Sequence, residues 1–476
     1  MVNPNILSQR YATPEINQIF SEKGKILLER QLWFFILKAQ KKLGYPIPEE
    51  AIKKYEKAIP NIDLNKIKEI EMQTKHDVKA KIEAYNQAAG EIEYIHMGMT
   101  SRDLTENVEQ LQIKKASEII FGKYISILRH LTDKAQEYRC IQLVARTHHQ
   151  AAQPTLLGRR FAMWAEEIHI HLKEYENFIQ NYPLRGIKGP VGTQFDMTNL
   201  LGSTEKAEQL EKNVADDLGF KTTLKATGQV YPRSLDYKLT AHLSSLSSAC
   251  ENYAITMRLM AGYELVTEGF QQGQVGSSVM PHKMNTRSCE RICALAELQK
   301  MYSDGTSRLM GDQWEEGDVS CSAIRRVIIP DAFYTADGIA ETTLTVLNNM
   351  GPYPQVIEAE LNKYMPFLAT TAILTHALKQ GIGREQAHSI IKKHAIAEAL
   401  KMRNKGIHQN NLAENLANDP IFIENGITLQ NINIIIDKRS NYIGNAQKQI
   451  DEIIENTKQT IIKYTSQASY EPKEIL

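Results

Sequence analysis

From Leu235 the apolar side chains recur at Leu239, Leu243, Leu246, Cys250, Tyr253, Met257 and Met260, with Pro232 just before and no proline until Pro281. Steps of four and three draw one stripe along a 3.6-residue helix, and without proline the backbone hydrogen bonds run on uninterrupted. A long helix with a single apolar stripe must bury it against other helices. The chain supplies them. Leu157, Phe161, Trp164, Ile168, Leu172 and Tyr175 mark a second stripe, and Leu104, Val108 and Leu111 onward to Leu131 a third. The third follows Thr100 and Asp103, a pair with capping-box spacing. A fourth run is expected from about Asn285, and a fifth near Pro330, where proline suits a first helical turn. Five such stripes, with few glycines and no strand-helix alternation, imply an all-α chain built on an elongated helical bundle.

With 476 residues and 42% hydrophobic content the chain can bury a large core and divide into about three domains. Composition shifts at Gly90–Met99 and Gly351–Pro354 place these at 1–100, 101–352 and 353–476. Lys and Arg number 56 and Asp and Glu 56, so the net charge is zero. That balance, without a long run of one sign, argues against nucleic acid or an anionic membrane as partner. No apolar stretch approaches a membrane span, and the start MVNPNILSQRYATPE lacks a basic segment followed by an apolar run. A cytoplasmic location is therefore expected, with Cys140, Cys250, Cys289, Cys293 and Cys321 as reduced, buried thiols.

Polar loops rich in Gly and Pro interrupt the stripes at 96–101, 185–192, 227–233 and 269–285, each against a long helix, where functional groups are rigidly mounted. The densest is GSSVMPHKMN, Gly276 to Asn285. A phosphate-cradling P-loop fails on spacing, since His282 and Met284 flank Lys283 where glycine and Ser or Thr are required. Glu166 and His169 have the Glu-x-x-His spacing of bundle metal sites, yet both fall off the centre of their stripe and are expected to face solvent or a partner. No metal and no cofactor is assigned. Acid-base chemistry on a small anionic substrate fits better. Eliminating an amine from an aminosuccinate needs a base for the proton beside a carboxylate, a cationic grip on the charge that builds there, and an acid for the departing nitrogen. A loop serine stabilised by backbone N–H groups and Lys283 suits the base, Asn285 can donate to a carboxylate, and a histidine suits the acid.

GSSVMPHKMN resembles the signature loop of the fumarase and aspartase superfamily. The whole chain resembles the adenylosuccinate lyase family within it, in particular the animal-like branch, through SQRYATPE, KHDV, HMGMTS, RTHHQAAQPT, TGQVYPRSLD, SAIRR before PDAF, and GREQAH. The resemblance implies a three-domain helical subunit, a homotetramer with active sites shared between subunits, and no cofactor. It implies elimination of fumarate from adenylosuccinate, giving AMP, and from the succinylcarboxamide ribotide SAICAR, giving AICAR. It places the general acid on His148 and the base on Ser277. Lys283 and Asn285 match groups that hold the succinyl part, with Thr100, Ser101 and Thr147 nearby. Gln229 and Arg291 match further substrate contacts, and Arg10, Tyr11, His76, Asp77, Ser322 and Arg326 match groups around the nucleotide and its phosphate.

The departures from the family pattern fall on the phosphate side. Gly317, in Glu316–Gly317–Asp318, stands where an arginine usually grips the nucleotide, and Lys75 replaces the arginine of the RHD motif, keeping charge but losing a bidentate fork. Thr286 replaces a proline and Thr371 a common glutamate. The altered grip leaves a second expectation open, a paralogous lyase that releases fumarate from another aminosuccinate.

Overall fold

The computed structural model describes residues 5–269, 280 and 282–473. Five long helices form its centre: α1 (Ser101–Glu137), α2 (Leu157–Asn181), α3 (Ser234–Gly262), α4 (Arg287–Ser307) and α5 (Ser322–Asn349). Their directions follow from side-chain pairs. Glu106 of α1 meets Arg233 just ahead of α3, and Glu109 meets Arg325 of α5, while farther along Lys123 pairs with Asp337. So α1, α3 and α5 run parallel. Helix α2 runs against them, since Trp164 meets Tyr253 and Tyr175 meets His242. Helix α4 does too, with Lys300 on Glu251 and Thr306 on Thr240. The bundle thus has an upper end, where α1, α3 and α5 begin, and a lower end, where they finish.

The stripes read from the sequence are the buried faces. Leu239, Leu243 and Leu246 are fully buried, as are Leu157, Phe161, Trp164 and Tyr175, each side chain contributing roughly 1.5–3 kcal/mol of transfer free energy. Phe161, Trp164 and Tyr253 add edge-to-face contacts at 5.0–5.1 Å. Thr100 and Asp103 form the expected cap at the start of α1, the Thr100 N–H donating to the Asp103 carboxylate at 2.8 Å.

Three expectations are corrected, and one element is added. Helix α5 begins at Ser322, so Pro330 lies inside it and not in its first turn; lacking an N–H, Pro330 leaves the Arg326 carbonyl without its helical partner. A β-hairpin, β1 (Gln142–Thr147) and β2 (Gln150–Leu156), separates α1 from α2. His169 does not face solvent but is buried, bonded to Thr460 Oγ1 at 2.8 Å, while Glu166 is exposed, so that pair does not converge on a metal position. All five cysteines are free, but Cys140 is exposed and Cys293 only half-buried.

A short ribbon, β3 (Val266–Thr267) with β4 (Gly351–Pro352), ties the exits of α3 and α5 at the lower end. Beyond it α6 (Pro354–Leu368) packs on the hairpin, and residues 361–432 gather a separate apolar core that takes in Val144 of β1. The chain then returns: α7 (Ala446–Lys463) lies on α1 and α2, and Ala446, Ile450 and Ala468 join the bundle's core. No helix among the described residues is long and apolar enough to cross a membrane.

Candidate active site

At the lower end, β1 and β2 are joined by His148 and His149 alone, with Thr147 paired to Gln150. Both histidines have positive φ, 49° and 62°, the pair of left-handed conformations that a two-residue hairpin turn of primed type requires and that Asn-Gly usually supplies. His148 is exposed at this tip. Lys283 and Asn285 lie on the segment leading into α4 at the same end; the Lys283 N–H donates to the Met280 carbonyl at 3.1 Å. Ser277, with most of its loop, lies outside the described residues. Both flanks of that loop are fixed by Glu268, whose buried carboxylate accepts the Ser288 and Cys289 N–H groups, each at 3.0 Å.

The upper end carries a different set. Thr100 and Ser101 begin α1, and Ser322 begins α5. Gln229 lies in the loop before α3, its N–H donating to the Glu316 carbonyl at 2.7 Å. Gly317 packs against that loop: a Cβ there would meet Gln229 Cβ at 3.1 Å, and its φ of 139° is one that L side chains rarely adopt. Lys75, His76 and Asp77 are exposed between two helices of the N-terminal part; Lys75 is left-handed at φ 53°, and His76 caps the next helix through Nδ1. Nearby His96 accepts from Trp33 Nε1 at 3.1 Å, and burial pushes its pKa down to about 4.

Beneath these loops lies a buried charge network that the motifs did not single out. Asp103 accepts from the Arg185 guanidinium at 2.6 Å and from the Lys188 N–H at 2.8 Å, fixing the loop 185–192. Arg325, with 4% exposure, reaches Asp236 at 2.7 Å and Glu109 at 2.5 Å and stacks near the Tyr231 ring. Burial works against its charge, but these acids and Tyr231 hold its pKa above the ordinary arginine value. Arg326, one position on and about 100° round the helix, is exposed and borders a small cavity of about 150 Å³ with Lys25 and Glu109. Adjacent arginines in SAIRR therefore have opposite fates, one buried in the charge network and one exposed. The charged residues spaced at 103, 106 and 109 on an otherwise buried stripe were the available signal.

Tyr11 and Arg291 meet on the bundle's flank, guanidinium 5.6 Å from the ring centroid, with Arg10 exposed beside them. So the structure brings together Tyr11 with Arg291, Gln229 with the Gly317 segment, and Thr147 and His148 with the end that holds Lys283 and Asn285. It does not bring the two ends together. Helix α3, 29 residues long, separates Gln229 from the His149–Tyr263 contact, about 40 Å at 1.5 Å per residue.

Residues 12–297 match the family model described as lyase, and residues 366–453 match that described as adenylosuccinate lyase C-terminus. An adenylosuccinate lyase of Schistosoma mansoni is 33% identical over 423 residues, covering 88% of each chain, and one of Saccharomyces cerevisiae is 32% identical, covering 94% of this chain and 93% of its own. In fold the chain is similar to a fumarate lyase from Mesorhizobium sp. BNC1 (TM-score 0.78, 20% identity, covering 96% and 100%) and to 3-carboxy-cis,cis-muconate lactonizing enzyme from Pseudomonas putida (0.82, 16%, 97% and 100%). The chain belongs to the adenylosuccinate lyase family of the fumarase and aspartase superfamily.

Proposed function

We infer that this chain eliminates fumarate from adenylosuccinate, giving AMP, and from SAICAR, giving AICAR. The observation that carries this reading is the match of residues 366–453 to the adenylosuccinate lyase C-terminus, in addition to a lyase match over the bundle. The alternative of another aminosuccinate is not favoured, since relatives aligned over 88–98% of the chain share one name.

In this reading Ser277 removes the proton from the carbon beside the succinyl carboxylate, whose electron pair collects on that carboxylate as a second negative charge. Lys283 and Asn285, with Thr100, Ser101 and Thr147, stabilise this charge by positioned cation and hydrogen-bond donors. That electron pair then returns to form the C=C bond of fumarate as the C–N bond breaks; the C–N electrons leave on the nitrogen, and His148 delivers the proton that neutralises the departing amine. Gln229 and Arg291 orient the substrate, while Arg10, Tyr11, Lys75, His76, Asp77, Ser322 and Arg326 take the nucleotide and its phosphate. No metal or other cofactor has a role in this scheme.

Because these groups occupy both ends of a bundle, one chain cannot surround a single substrate with all of them. We propose a homotetramer in the cytoplasm, with the upper end of one bundle beside the lower end of another. Apolar side chains left on the bundle surface, among them Leu259, Met301 and Val327 at 46%, 67% and 59% exposure, support burial against further copies. The divisions 1–100, 101–352 and 353–476 are retained as its building units, the last sending α7 back onto the bundle.

The test is to mix the purified protein with adenylosuccinate, follow the ultraviolet spectrum and identify fumarate by chromatography. Sustained turnover is expected. A folded protein that releases no fumarate from adenylosuccinate or SAICAR overturns the reading.

A further inference from the structure

The hairpin tip presents a physical problem. Two successive left-handed residues that are neither glycine nor asparagine cost of order 1–3 kcal/mol each, so the surroundings must hold them. Among the described residues His148 has no hydrogen bond, ion pair or ring contact of its own. Its neighbour is tethered instead. The His149 ring lies 5.7 Å from the Tyr263 ring, and the Tyr263 hydroxyl is 3.4 Å from His149 Nε2. That hydrogen bond is long, so the ring contact carries much of the tether. Tyr263 is fixed in turn: the Arg146 guanidinium stands 4.1 Å from its centroid, and Arg146 is ion-paired with Glu360 of α6. A register shift between Ala145 and Arg146, where β2 carries the extra residue Ala152, bends the hairpin at the point from which Arg146 reaches this stack.

One continuous stack, His149–Tyr263–Arg146–Glu360, therefore joins the hairpin tip to the residue capping α3 and to α6. We propose that Tyr263 is a positioning residue for His148, acting through His149 to hold the tip where the imidazole can reach the departing nitrogen. The inference rests on the reading of His148 as the acid. A proton donor must sit within hydrogen-bond reach, and a misplacement of about 1 Å can cost about 100-fold in rate. Tyr263 makes the tip rigid without itself touching substrate.

Backbone strain and tether can be separated by substitution. His149→Gly removes the ring but relieves the positive φ, so a purely structural role predicts unchanged or better stability with unchanged turnover. Under the proposal the full-length protein with His149→Gly unfolds at the same temperature or higher, yet its kcat on adenylosuccinate falls about tenfold or more with KM within about twofold. Tyr263→Ala lowers kcat similarly. Tyr263→Phe keeps the Arg146 stack and loses only about threefold. His148→Gln, measured alongside, is expected to be nearly inactive. Wild-type kcat in His149→Gly and Tyr263→Ala, with His148→Gln inactive, overturns the positioning role alone. An active His148→Gln overturns the underlying assignment, and this proposal with it. A raised KM at constant kcat also sinks it, because the tether would then serve binding.

Discussion

Gly317 is the residue at which sequence and geometry bear most directly on each other. Read from the sequence it is a lost arginine. In the structure its φ of 139° and the 3.1 Å approach of a built Cβ to Gln229 make glycine part of the loop's shape. Gly317→Arg should therefore destabilise the protein by about 1–3 kcal/mol in urea unfolding without lowering KM for adenylosuccinate. A lower KM at unchanged stability would show that the loop tolerates the family's side chain and that the conformational argument is wrong. Glu268 gives a second test at this scale. Its carboxylate replaces the N-cap side chain that Thr286 does not provide, holding two N–H groups at the start of α4. Glu268→Ala should cost about 1–2 kcal/mol, with Glu268→Gln losing less because an acceptor remains. Equal stability of both variants with the parent would remove the capping role.

Among the elements, the segment from His96 to α1 is expected to make the fold acid-sensitive. His96 is half-buried against Trp33, and desolvation pushes its pKa down to about 4, below the ordinary histidine value of 6.5; His130, depressed by burial and by Arg129, is also pushed down to about 4. The unfolded chain binds these protons more readily than the native one. Stability from both groups is complete above pH 6.5 and is lost as pH falls towards 4, by about 2 kcal/mol per histidine at pH 5. Urea unfolding at pH 7.5 and pH 5 should show the loss, and His96→Gln should reduce it; the same slope in the variant would rule His96 out. The elements also differ in how legible they were. Five helices could be read because a 3.6-residue stripe repeats over many turns, as from Leu235 to Met260. The hairpin could not, because six residues around VART give too short an alternation, β2 contains Pro154, and His-His carries none of the turn signal of Asn-Gly. Pro330 misled for a related reason: a proline favoured at a helix start was tolerated inside α5. Motif resemblance named the candidate residues, but only the parallel course of α1, α3 and α5 revealed that they divide between two ends.

For the whole molecule, that division makes a prediction that no single-residue argument supplies. His148 and Lys283 stand at the lower end and Gln229 and Ser322 at the upper, about 40 Å apart along α3. Under the proposed assignment of these residues to one site, a substrate the size of a nucleotide cannot bridge that gap, and the two halves are expected to come from different copies. Mixed tetramers then behave unlike their parents. In a population reassembled from equal amounts of His148→Gln and Gln229→Ala chains, about one site in four receives both intact halves, whereas each parent has none. Activity should rise to about a quarter of wild type after reversible dissociation and reassociation, and simple mixing without subunit exchange should give no rise. In the proposed tetramer symmetric closure sets that ceiling, each copy offering its two ends to different neighbours. If reassembly restores nothing while each variant is separately inactive and tetrameric, the two ends belong to one chain's site, and the bundle must rearrange on binding to unite them.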